Sequence, residues 1–297
     1  MKVLVTGGCG FIGSNLVDIL ISQGHDVTVI DNLVTGVQEN CNSKASYIFD
    51  DYQKVLRDDY YNSLTDPATF DVVFHLAAMP RIQPSFDDPL YTIDNNAYGT
   101  AILCEFARIN NINIVYAGSS SFYGGVYLNP YSFSKWIGEE ICTMYSKIYD
   151  VSSCVARFFN VYGPRHLRSG PYSTVVGVFE NQYNNGRPLT ITGDGEQRRD
   201  FTHVYDICNG LIAMSHNKHN GAIFNLGTGK NHSINELANM YEGSLVEYVF
   251  QRPGEARETL ADISKTCENL NWYPENDLEN YVKDFISLKD ADKLKVG

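Results

Sequence analysis

A glycine-rich turn follows directly after the first apolar run of the chain, and no other feature restricts the fold as strongly. The run Lys2–Thr6 has the length and composition of a buried strand, the turn occupies Gly7–Gly13, and an apolar helical pattern covers Phe11–Gln23. Such a turn lets the backbone approach a pyrophosphate at the amino terminus of the helix. Two patterns fit, G-x-G-x-x-G from Gly8 and G-x-x-G-x-x-G from Gly7. Because glycine-rich turns also occur in ordinary strand–helix loops, a dinucleotide site needs a second observation.

The second observation is an aspartate at the end of the next apolar run. The run Asp26–Ile30 leads into Asp31, which lies 18 positions after Gly13. An acidic residue about 20 positions after the turn accepts hydrogen bonds from the adenosine ribose and repels a 2′-phosphate. The alternative is that Asp31 only begins a turn. The two signals together predict NAD rather than NADP as the cofactor.

Short apolar runs alternate with amphipathic helical patterns through the first half of the chain. The runs are Lys2–Thr6, Asp26–Ile30, Ser46–Phe49, Asp71–Leu76, Ile112–Ala117 and Ser152–Phe158, and the helical patterns are Phe11–Gln23, Leu90–Asn110 and Tyr131–Tyr149. This order predicts an α/β fold with a doubly wound parallel (Rossmann) sheet. We expect an NAD-binding domain over residues 1–162 and a smaller substrate-binding lobe over 163–297. The helix at Val204–Met214 and the strand at Ala222–Asn225 are candidates to return to the first sheet.

Charge and cysteine usage exclude several classes of protein. The chain has 23 Lys and Arg against 35 Asp and Glu, a formal charge of −12, whereas nucleic acids and anionic membranes require a basic face. No run approaches about 18 consecutive apolar residues. The first residues do not resemble a signal peptide, and the seven cysteines contain no Cys-x-x-Cys pair. We expect a soluble, cytoplasmic protein without a metal site, a nucleic-acid partner or a membrane partner.

A tyrosine and a lysine lie four positions apart in a predicted helix. Tyr131 and Lys135 therefore share one helix face. A fixed ammonium and a cationic nicotinamide would lower the pKa of a phenol, which is otherwise about 10. A hydroxyl that shares the substrate proton is expected from Ser119–Ser121 at the end of the preceding run, although serines at a strand end also form turns. His75 lies inside an apolar run, and we interpret it as a hydrogen-bonded core histidine rather than a base.

Taken in order along the chain, these motifs resemble a known superfamily. The set comprises Gly7–Gly13, Asp31, Phe74–Ala78, Ser119–Gly124, Tyr131 with Lys135, and Phe159–Pro164. On these residues the chain is identified as a member of the extended short-chain dehydrogenase/reductase superfamily. Within it, the chain is similar to NAD-dependent nucleotide-sugar epimerases of the UDP-glucose/UDP-N-acetylglucosamine 4-epimerase type. The resemblance runs from Lys2 to about Trp272, and it implies a UDP-sugar substrate, NAD that is regenerated in each cycle, and a homodimer.

The resemblance also implies roles for individual residues. The catalytic set is Ser119, Tyr131 and Lys135. The cofactor-binding set is Gly7, Gly10, Phe11, Ile12, Gly13, Asp31, Asn32, Asp51, Leu76, Ala77, Ala78, Asn96, Tyr131 and Lys135. The substrate-binding set is Ser120, Ser121, Asn160, Arg199, Arg252, Glu255 and Thr259. Among these, the two arginines would hold the diphosphate, Glu255 would bind the uridine ribose, and the small Thr259 would leave room for an N-acetyl group on the sugar.

Two departures bear on which reaction the resemblance implies. Sister dehydratases carry Asp and Glu after the catalytic hydroxyl and decarboxylases carry a Glu nearby, whereas this chain has Ser120 and Ser121. The interval from Ser119 to Tyr131 is only 12 positions, shorter than in relatives, which puts the shielding of the sugar from water in question. We expect C4 epimerisation of a UDP-hexose or UDP-N-acetylhexosamine through a 4-keto intermediate. The alternatives are a 4-reductase, decarboxylase or dehydratase of the same superfamily, and a non-catalytic NAD-binding protein.

Overall fold

The computed structural model describes residues 1–57 and 70–296, with side chains up to residue 289. The strands are β1 (Lys2–Thr6), β2 (Asp26–Ile30), β3 (Ser46–Ile48), β4 (Val72–His75), β5 (Asn113–Ser119), β6 (Ser153–Phe158), β7 (Val161–Tyr162), β8 (Leu189–Thr192), β9 (Arg198–Arg199), β10 (Thr202–His203), β11 (Asn220–Leu226), β12 (His232–Ser233) and β13 (Val246–Val249). The helices are α1 (Phe11–Ser22), α2 (Tyr52–Val55), α3 (Ile82–Asp87), α4 (Pro89–Ile93), α5 (Gly99–Asn110), α6 (Ser121–Gly124), α7 (Pro130–Tyr149), α8 (Val175–Asn184), α9 (Val204–Ser215), α10 (Ile234–Asn239), α11 (Ser264–Leu270) and α12 (Leu278–Val296). None of these helices is long and apolar enough to cross a lipid bilayer.

A seven-stranded parallel sheet organises the larger part of the molecule. Its strand order is β11-β6-β5-β4-β1-β2-β3, and every neighbouring pair is parallel. The order reverses between β1 and β4, and in such folds ligands bind in the crevice outside the carboxyl ends of the strands at this point. The predicted doubly wound fold is confirmed. The sheet gains a further strand, β11, from the later part of the chain.

Helices bury both faces of the sheet, which is why its strands are continuous apolar runs rather than alternating ones. On one face, Leu16 and Leu20 of α1 pack with Ile207 and Leu211 of α9 against the sheet. On the other face, α5 and α7 supply residues such as Leu103, and these pack on the opposite sides of the same strands. The helix near Val204 is therefore part of the first hydrophobic core.

The predicted helix over Leu90–Asn110 contains a widened turn. It forms as α4 and α5 joined by a π-helical turn at Asp94–Tyr98. The Tyr52 hydroxyl donates a hydrogen bond to the Asn95 carbonyl, and the missing side chain of Gly99 leaves room for its ring. A side chain that enters the helix ladder in this way locally widens it.

A smaller cluster of apolar residues forms a second lobe. Leu189, Phe179 and Tyr241 are among its fully buried members, and it is separate from the two layers around the sheet. Asp206 of α9 joins the later chain to the first core, because its carboxylate accepts hydrogen bonds from the backbone N–H groups of Glu275 and Asn276, both at 3.1 Å. We keep the division of the chain at residues 162 and 163 as a proposal.

Candidate active site

A cavity of about 490 Å³ opens at the carboxyl ends of β1, β4 and β5. Its wall includes Gly7, Ala77 and Ser119 from the sheet side, and Arg199 and Thr259 from the later chain. A volume of this size is typical of a site that encloses a small organic ligand. The cavity therefore lies at the reversal point of the strand order, between the sheet and the second lobe.

The glycine turn fits the pyrophosphate of a dinucleotide. Gly7 has φ +76°, and a Cβ atom on Gly13 would lie 2.1 Å from the Gly7 carbonyl oxygen. Gly7, Gly10 and Gly13 line the cavity, whereas Gly8 faces the core, where a Cβ would lie 2.6 Å from the Val29 side chain. The helix α1 begins without a side-chain cap or an acidic residue, so its first N–H groups remain available to an anion. Of the two sequence patterns, the one that begins at Gly7 describes the ligand-facing glycines.

The carboxylate of Asp31 is held at the end of β2. It accepts hydrogen bonds from the backbone N–H groups of Cys9 at 2.9 Å and Leu33 at 2.8 Å, and it lines the cavity with Asn32. Because two donors fix its position and it remains at the cavity wall, it suits the adenosine ribose of NAD. The predicted cofactor residues Phe11, Ile12, Leu76, Ala77 and Ala78 line the same wall.

Three predicted cofactor residues, Asn96, Asp51 and Lys135, are not part of the cavity wall, and the first two hold loops around it. The Asn96 side chain is buried, and it accepts the Met79 N–H and donates to the Met79 carbonyl at 2.7 and 3.1 Å. Asp51 caps α2 through the Gln53 N–H at 2.8 Å. The structure therefore gives both side chains a role in shaping loops around the cavity, and neither is part of its lining. Their contact with NAD stays a prediction.

Tyr131 and Ser119 meet inside the cavity. The Tyr131 hydroxyl donates to the Ser119 Oγ at 3.5 Å. Asn129 caps α7 by accepting the Ser132 N–H at 2.7 Å, and Pro130 occupies the first turn, so the helix begins directly before Tyr131. The short connection after Ser119 includes the one-turn helix α6, and it is long enough to bring the two hydroxyl groups together.

The charge that acts on Tyr131 comes from an unexpected residue. Burial raises the pKa of Tyr131 above its ordinary value, while the hydrogen bond with Ser119 and the positive charge of Arg81 oppose this rise. Sequence reasoning missed Arg81, although its position in the loop after β4 places it at the carboxyl edge of the sheet. Lys135, the predicted cation, lies against the Tyr116 ring, with its Nζ atom 4.3 Å from the ring centre. Burial lowers the pKa of Lys135 to about 8, and Lys135 is not part of the cavity wall.

A buried ion pair lies behind Ser119, the residue that the sequence predicts to be catalytic. Glu139 lies one turn after Lys135, accepts the Ser119 N–H at 3.3 Å, and receives two hydrogen bonds from Arg157 at 2.7 and 2.9 Å. Burial raises the pKa of Glu139, and the Arg157 guanidinium opposes the rise. Helix α7 therefore presents Tyr131, Lys135 and Glu139 along one face toward the end of β5, as the four-residue spacing predicts.

Part of the remaining wall of the cavity is polar. Ser121 lines the cavity, and its Oγ atom is buried and has no hydrogen-bond partner among the described residues. Asn160 and Thr259 also line the cavity, and the Asn160 amide donates to the Thr259 hydroxyl at 3.4 Å. Ser120 completes this group of predicted substrate residues at the wall.

The predicted diphosphate residues come together on the side of the later chain. Arg199, Arg252 and Glu255 all line the cavity, with Arg199 Nη2 at 3.7 Å from Glu255 Oε2. The loop that carries Arg252 and Glu255 is tied to the first lobe, because Gln83 donates to the Pro253 carbonyl and Asn129 to the Gly254 carbonyl, both at 3.0 Å. Two guanidinium groups at one wall suit a diphosphate.

His75 is a core residue, as predicted. It is 1% exposed, and its ring nitrogens lie 2.7 Å from the Thr6 Oγ1 and 3.3 Å from the Thr100 Oγ1. Burial and the charge of Lys135 lower the pKa of His75 to about 3. A neutral histidine with both nitrogens in contact with hydroxyl groups has no role as a base in the cavity.

Comparisons with known proteins agree with this geometry. The model of the NAD dependent epimerase/dehydratase family matches residues 3–227. A putative UDP-glucose 4-epimerase of Methanocaldococcus jannaschii is 34% identical over an alignment that covers 96% of this chain and 97% of that protein. The crystal structure of the Thermotoga maritima UDP-glucose 4-epimerase with UDP-glucose has a TM-score of 0.90 and 30% identity, covering 99% of this chain and 100% of that one. The Thermus thermophilus UDP-glucose 4-epimerase in complex with NAD has a TM-score of 0.86 and 27% identity, covering 96% and 99%.

Proposed function

From the premise that this chain belongs to the NAD-dependent epimerase/dehydratase family, we propose that it inverts the configuration at C4 of a UDP-linked sugar. NAD is its cofactor, as the sequence predicted, and when bound it would supply an acceptor and donor of hydride for the sugar carbon. The single observation that carries the proposal is the approach of the Tyr131 and Ser119 hydroxyl groups to 3.5 Å inside a cavity that also holds the glycine turn. A binding protein without catalysis has no need for a buried phenol at that place.

In the proposed mechanism, Tyr131 and Ser119 act on the same sugar oxygen. The phenolate of Tyr131 takes the proton of the 4-hydroxyl group, and Ser119 hydrogen-bonds the oxygen as it becomes a carbonyl. The nearby Arg81 guanidinium favours the phenolate. Lys135 is the proposed contact of the nicotinamide ribose, as the family resemblance implies. The same phenol returns the proton after the 4-keto sugar has turned its opposite face to the cofactor.

The proposal requires firm binding of the nucleotide and loose binding of the sugar. Arg199 and Arg252 are the proposed diphosphate ligands, and Glu255 is the proposed ligand of the uridine ribose. On the sugar side, the Asn160 amide, which donates a long hydrogen bond of 3.4 Å to the Thr259 hydroxyl, is the proposed donor of a single hydrogen bond that is exchanged as the sugar turns. Strong anchoring at one end therefore leaves the other end free to rotate.

The small side chain of Thr259 supports a wide pocket at C2 of the sugar. Thr259 lines the cavity at the position where the family resemblance places the residue that limits this substituent. A bulky aromatic side chain there would exclude an N-acetyl group, whereas threonine leaves space. We therefore include UDP-N-acetylhexosamines among the proposed substrates. Turnover of UDP-glucose together with no turnover of UDP-N-acetylglucosamine would contradict this part of the proposal.

The test is proton NMR of the NAD-loaded protein with a panel of UDP-sugars that differ at C2 and C6. We expect at least one sugar to be converted to its C4 epimer, with no net consumption of cofactor. Tyr131→Phe should lower the rate by about 1,000-fold, because it removes the acid–base group. Tyr127→Phe, which alters an exposed tyrosine outside the cavity wall, is the matched control and should keep the rate.

Other results of the same experiment would identify the alternatives. Stoichiometric consumption of reduced cofactor would indicate a 4-reductase, loss of water a dehydratase, and release of carbon dioxide a decarboxylase. Bound NAD with no reaction of any UDP-sugar would indicate a protein that only binds NAD. Normal activity of Tyr131→Phe would contradict the mechanism even if the epimerisation itself is observed.

We also propose that the protein is a homodimer that pairs α5 and α7 of each subunit. Several large apolar side chains on these helices are exposed, including Ile109 at 67% and Ile148 at 64%. The two helices pack side by side on one face of the sheet, so their outer surfaces form a continuous patch. Pairing across a two-fold axis would bury this patch against itself.

A further inference from the structure

The side chain of Asn129 makes two hydrogen bonds that lead to opposite ends of the proposed site. Its Oδ1 atom accepts the Ser132 N–H at 2.7 Å, the contact that caps helix α7 directly before Tyr131. Its Nδ2 atom donates to the Gly254 carbonyl at 3.0 Å. The orientation of the amide is fixed, because a backbone N–H requires the oxygen and a backbone carbonyl requires the nitrogen. One side chain therefore joins the start of the helix that carries Tyr131 to a loop of the later chain.

That loop, Arg252–Glu255, is here called the nucleotide loop, because the residues at its two ends are the proposed ligands of the diphosphate and the uridine ribose. Its glycine, Gly254, has φ +74°, and a Cβ atom there would lie 2.9 Å from the Phe86 ring and 3.2 Å from the Leu128 carbonyl oxygen. The loop approaches the first lobe this closely because the position has no side chain. The bond from Asn129 is made at this glycine, between the two proposed nucleotide ligands.

The junction around Asn129 is buried and lies outside the cavity wall. Asn129 is 5% exposed and is not part of the cavity lining. Helix α3 contributes two further contacts, since the Ser85 Oγ accepts the Tyr131 N–H at 3.1 Å and Gln83 donates to the Pro253 carbonyl at 3.0 Å. The start of α7, helix α3 and the nucleotide loop therefore meet at one place. Any effect of Asn129 on a ligand passes through the groups that it holds.

Capping alone does not require an amide at position 129. Serine and aspartate cap helices about as well as asparagine. At neutral pH, however, neither carries an acceptor for the Ser132 N–H and a donor for the Gly254 carbonyl on two separate atoms. Asparagine therefore meets a requirement that the cap does not impose, and substitution separates its two contacts.

We propose that Asn129 is a positioning residue that sets the distance between Tyr131 and the nucleotide loop. This inference rests on the proposed function, in which a UDP-sugar is held at its nucleotide while its C4 reaches the Tyr131 hydroxyl. The covalent path from the diphosphate to C4 has a limited length, so a shift of the nucleotide loop carries C4 away from Tyr131. A misplacement of about 1 Å is enough to lower a rate about 100-fold.

The test separates the two contacts of Asn129 by substitution. Asn129→Ser keeps an acceptor that caps α7 and removes the donor to Gly254, whereas Asn129→Ala removes both. UDP is titrated calorimetrically into the NAD-loaded proteins, and kcat and KM are measured with the UDP-sugar that is converted. Urea denaturation measures stability. Asn129→Ser is also combined with Arg252→Met, which removes one proposed nucleotide ligand from the loop.

We expect Asn129→Ser to keep the urea midpoint within about 0.3 M of the wild type, because α7 keeps its cap. The same variant should bind UDP about 5-fold more weakly and have a kcat about 20-fold lower, because the nucleotide loop is no longer held at one place. Asn129→Ala should show these losses together with a lower urea midpoint. In the Arg252→Met background, Asn129→Ser should weaken UDP binding by less than about 2-fold, because the two changes act through the same loop.

Three results would overturn the inference. Wild-type UDP binding and kcat in Asn129→Ser would show that the bond to Gly254 does not place the ligand. The same loss of UDP affinity with and without Arg252→Met would show that Asn129 does not act through the nucleotide loop. Equal losses of urea midpoint in Asn129→Ser and Asn129→Ala would reduce the role of Asn129 to stability.

Failure of the proposed function gives a different result. If UDP binding follows the expected pattern but no UDP-sugar is converted, the C4 epimerisation is contradicted, while the reduced effect in the Arg252→Met background still supports the link between Asn129 and the nucleotide loop. If the wild-type protein does not bind UDP, both proposals are contradicted.

Discussion

The charged side chain of Lys135 is almost completely buried. It is 4% exposed, and its ammonium lies over the Tyr116 ring. Burial lowers its pKa to about 8 from an ordinary value of 10.5. Below about pH 8, Lys135 is protonated in both the folded and the unfolded chain. In this range the buried charge lowers the free energy of unfolding by its full amount. Between about pH 8 and 10.5 the unfolded chain binds more protons than the folded one, so Lys135 makes the free energy of unfolding rise with pH.

We therefore predict that Lys135→Met is more stable than the wild type at pH 7, by about 3 kcal/mol, because an apolar side chain replaces a buried charge whose pKa is lowered from 10.5 to about 8. The difference should shrink as pH rises from 8 to 10.5. Urea denaturation without added NAD across this range measures it. Lys147→Met, at an exposed position of the same helix, should show no such pH dependence. A constant difference between Lys135→Met and the wild type would contradict the expected titration.

The sequence predicts the place of a residue where spacing alone determines it. The separation of four positions puts Tyr131 and Lys135 on the same helix face. The end of strand β2 puts Asp31 at the carboxyl edge of the sheet. The choice between Gly7 and Gly8 could not be made, because it depends on contact of Gly8 with Val29 of another strand. Arg81 was missed because its φ and its neighbours arise from the packing of two distant segments, which no local pattern records.

A buried ion pair joins helix α7 to the sheet. The Glu139 and Arg157 side chains are 1% and 7% exposed and lie 2.7 Å apart, and the same carboxylate accepts the Ser119 N–H. A contact of this kind fixes helix α7, strand β5 and strand β6 relative to one another. The position of Ser119, the proposed catalytic serine, therefore depends on a residue that is not part of the cavity wall.

Glu139→Gln should lower the free energy of unfolding by about 3 kcal/mol, because it leaves the buried Arg157 without a counter-charge. The matched control is Glu105→Gln, since the ion pair of Glu105 with Arg108 lies at the surface with side chains 42% and 39% exposed. That change should cost less than about 0.5 kcal/mol. Urea denaturation of both variants checks the contrast, and equal costs would contradict the role given to burial.

The periodicity of apolar residues predicts where a helix forms, but it does not predict irregular turns within the helix. The apolar spacing over Leu90–Asn110 predicted a helix, and helical structure covers that range. The π-helical turn within it depends on the Tyr52 hydroxyl, which comes from a separate segment. Its effect is local but relevant, because the Asn96 side chain of this turn holds the Met79 backbone near the cavity. The contact with Tyr52, which is distant in sequence, is therefore the part of this helix that apolar spacing could not predict.

The proposed dimer makes a prediction about the assembled protein. Ile148→Glu introduces a charge into the exposed patch of α5 and α7. We expect the dimer dissociation constant to rise by at least about 100-fold, because the glutamate would be desolvated in the interface. Leu288→Glu, on the exposed side of helix α12, is the matched control and should leave the dimer intact. Sedimentation equilibrium measures both. A monomeric wild-type protein, or a dimer that persists in Ile148→Glu, would contradict the proposed pairing.

The strand β11 completes one rim of the parallel sheet beside β6, although many residues separate the two along the chain. During synthesis on the ribosome, β6 emerges well before β11 and its outer hydrogen-bonding groups have no partner in the meantime. An unpaired strand of this kind is open to pairing with other chains. A fragment truncated shortly after Tyr162 would therefore leave this edge of β6 exposed and open to pairing with other chains.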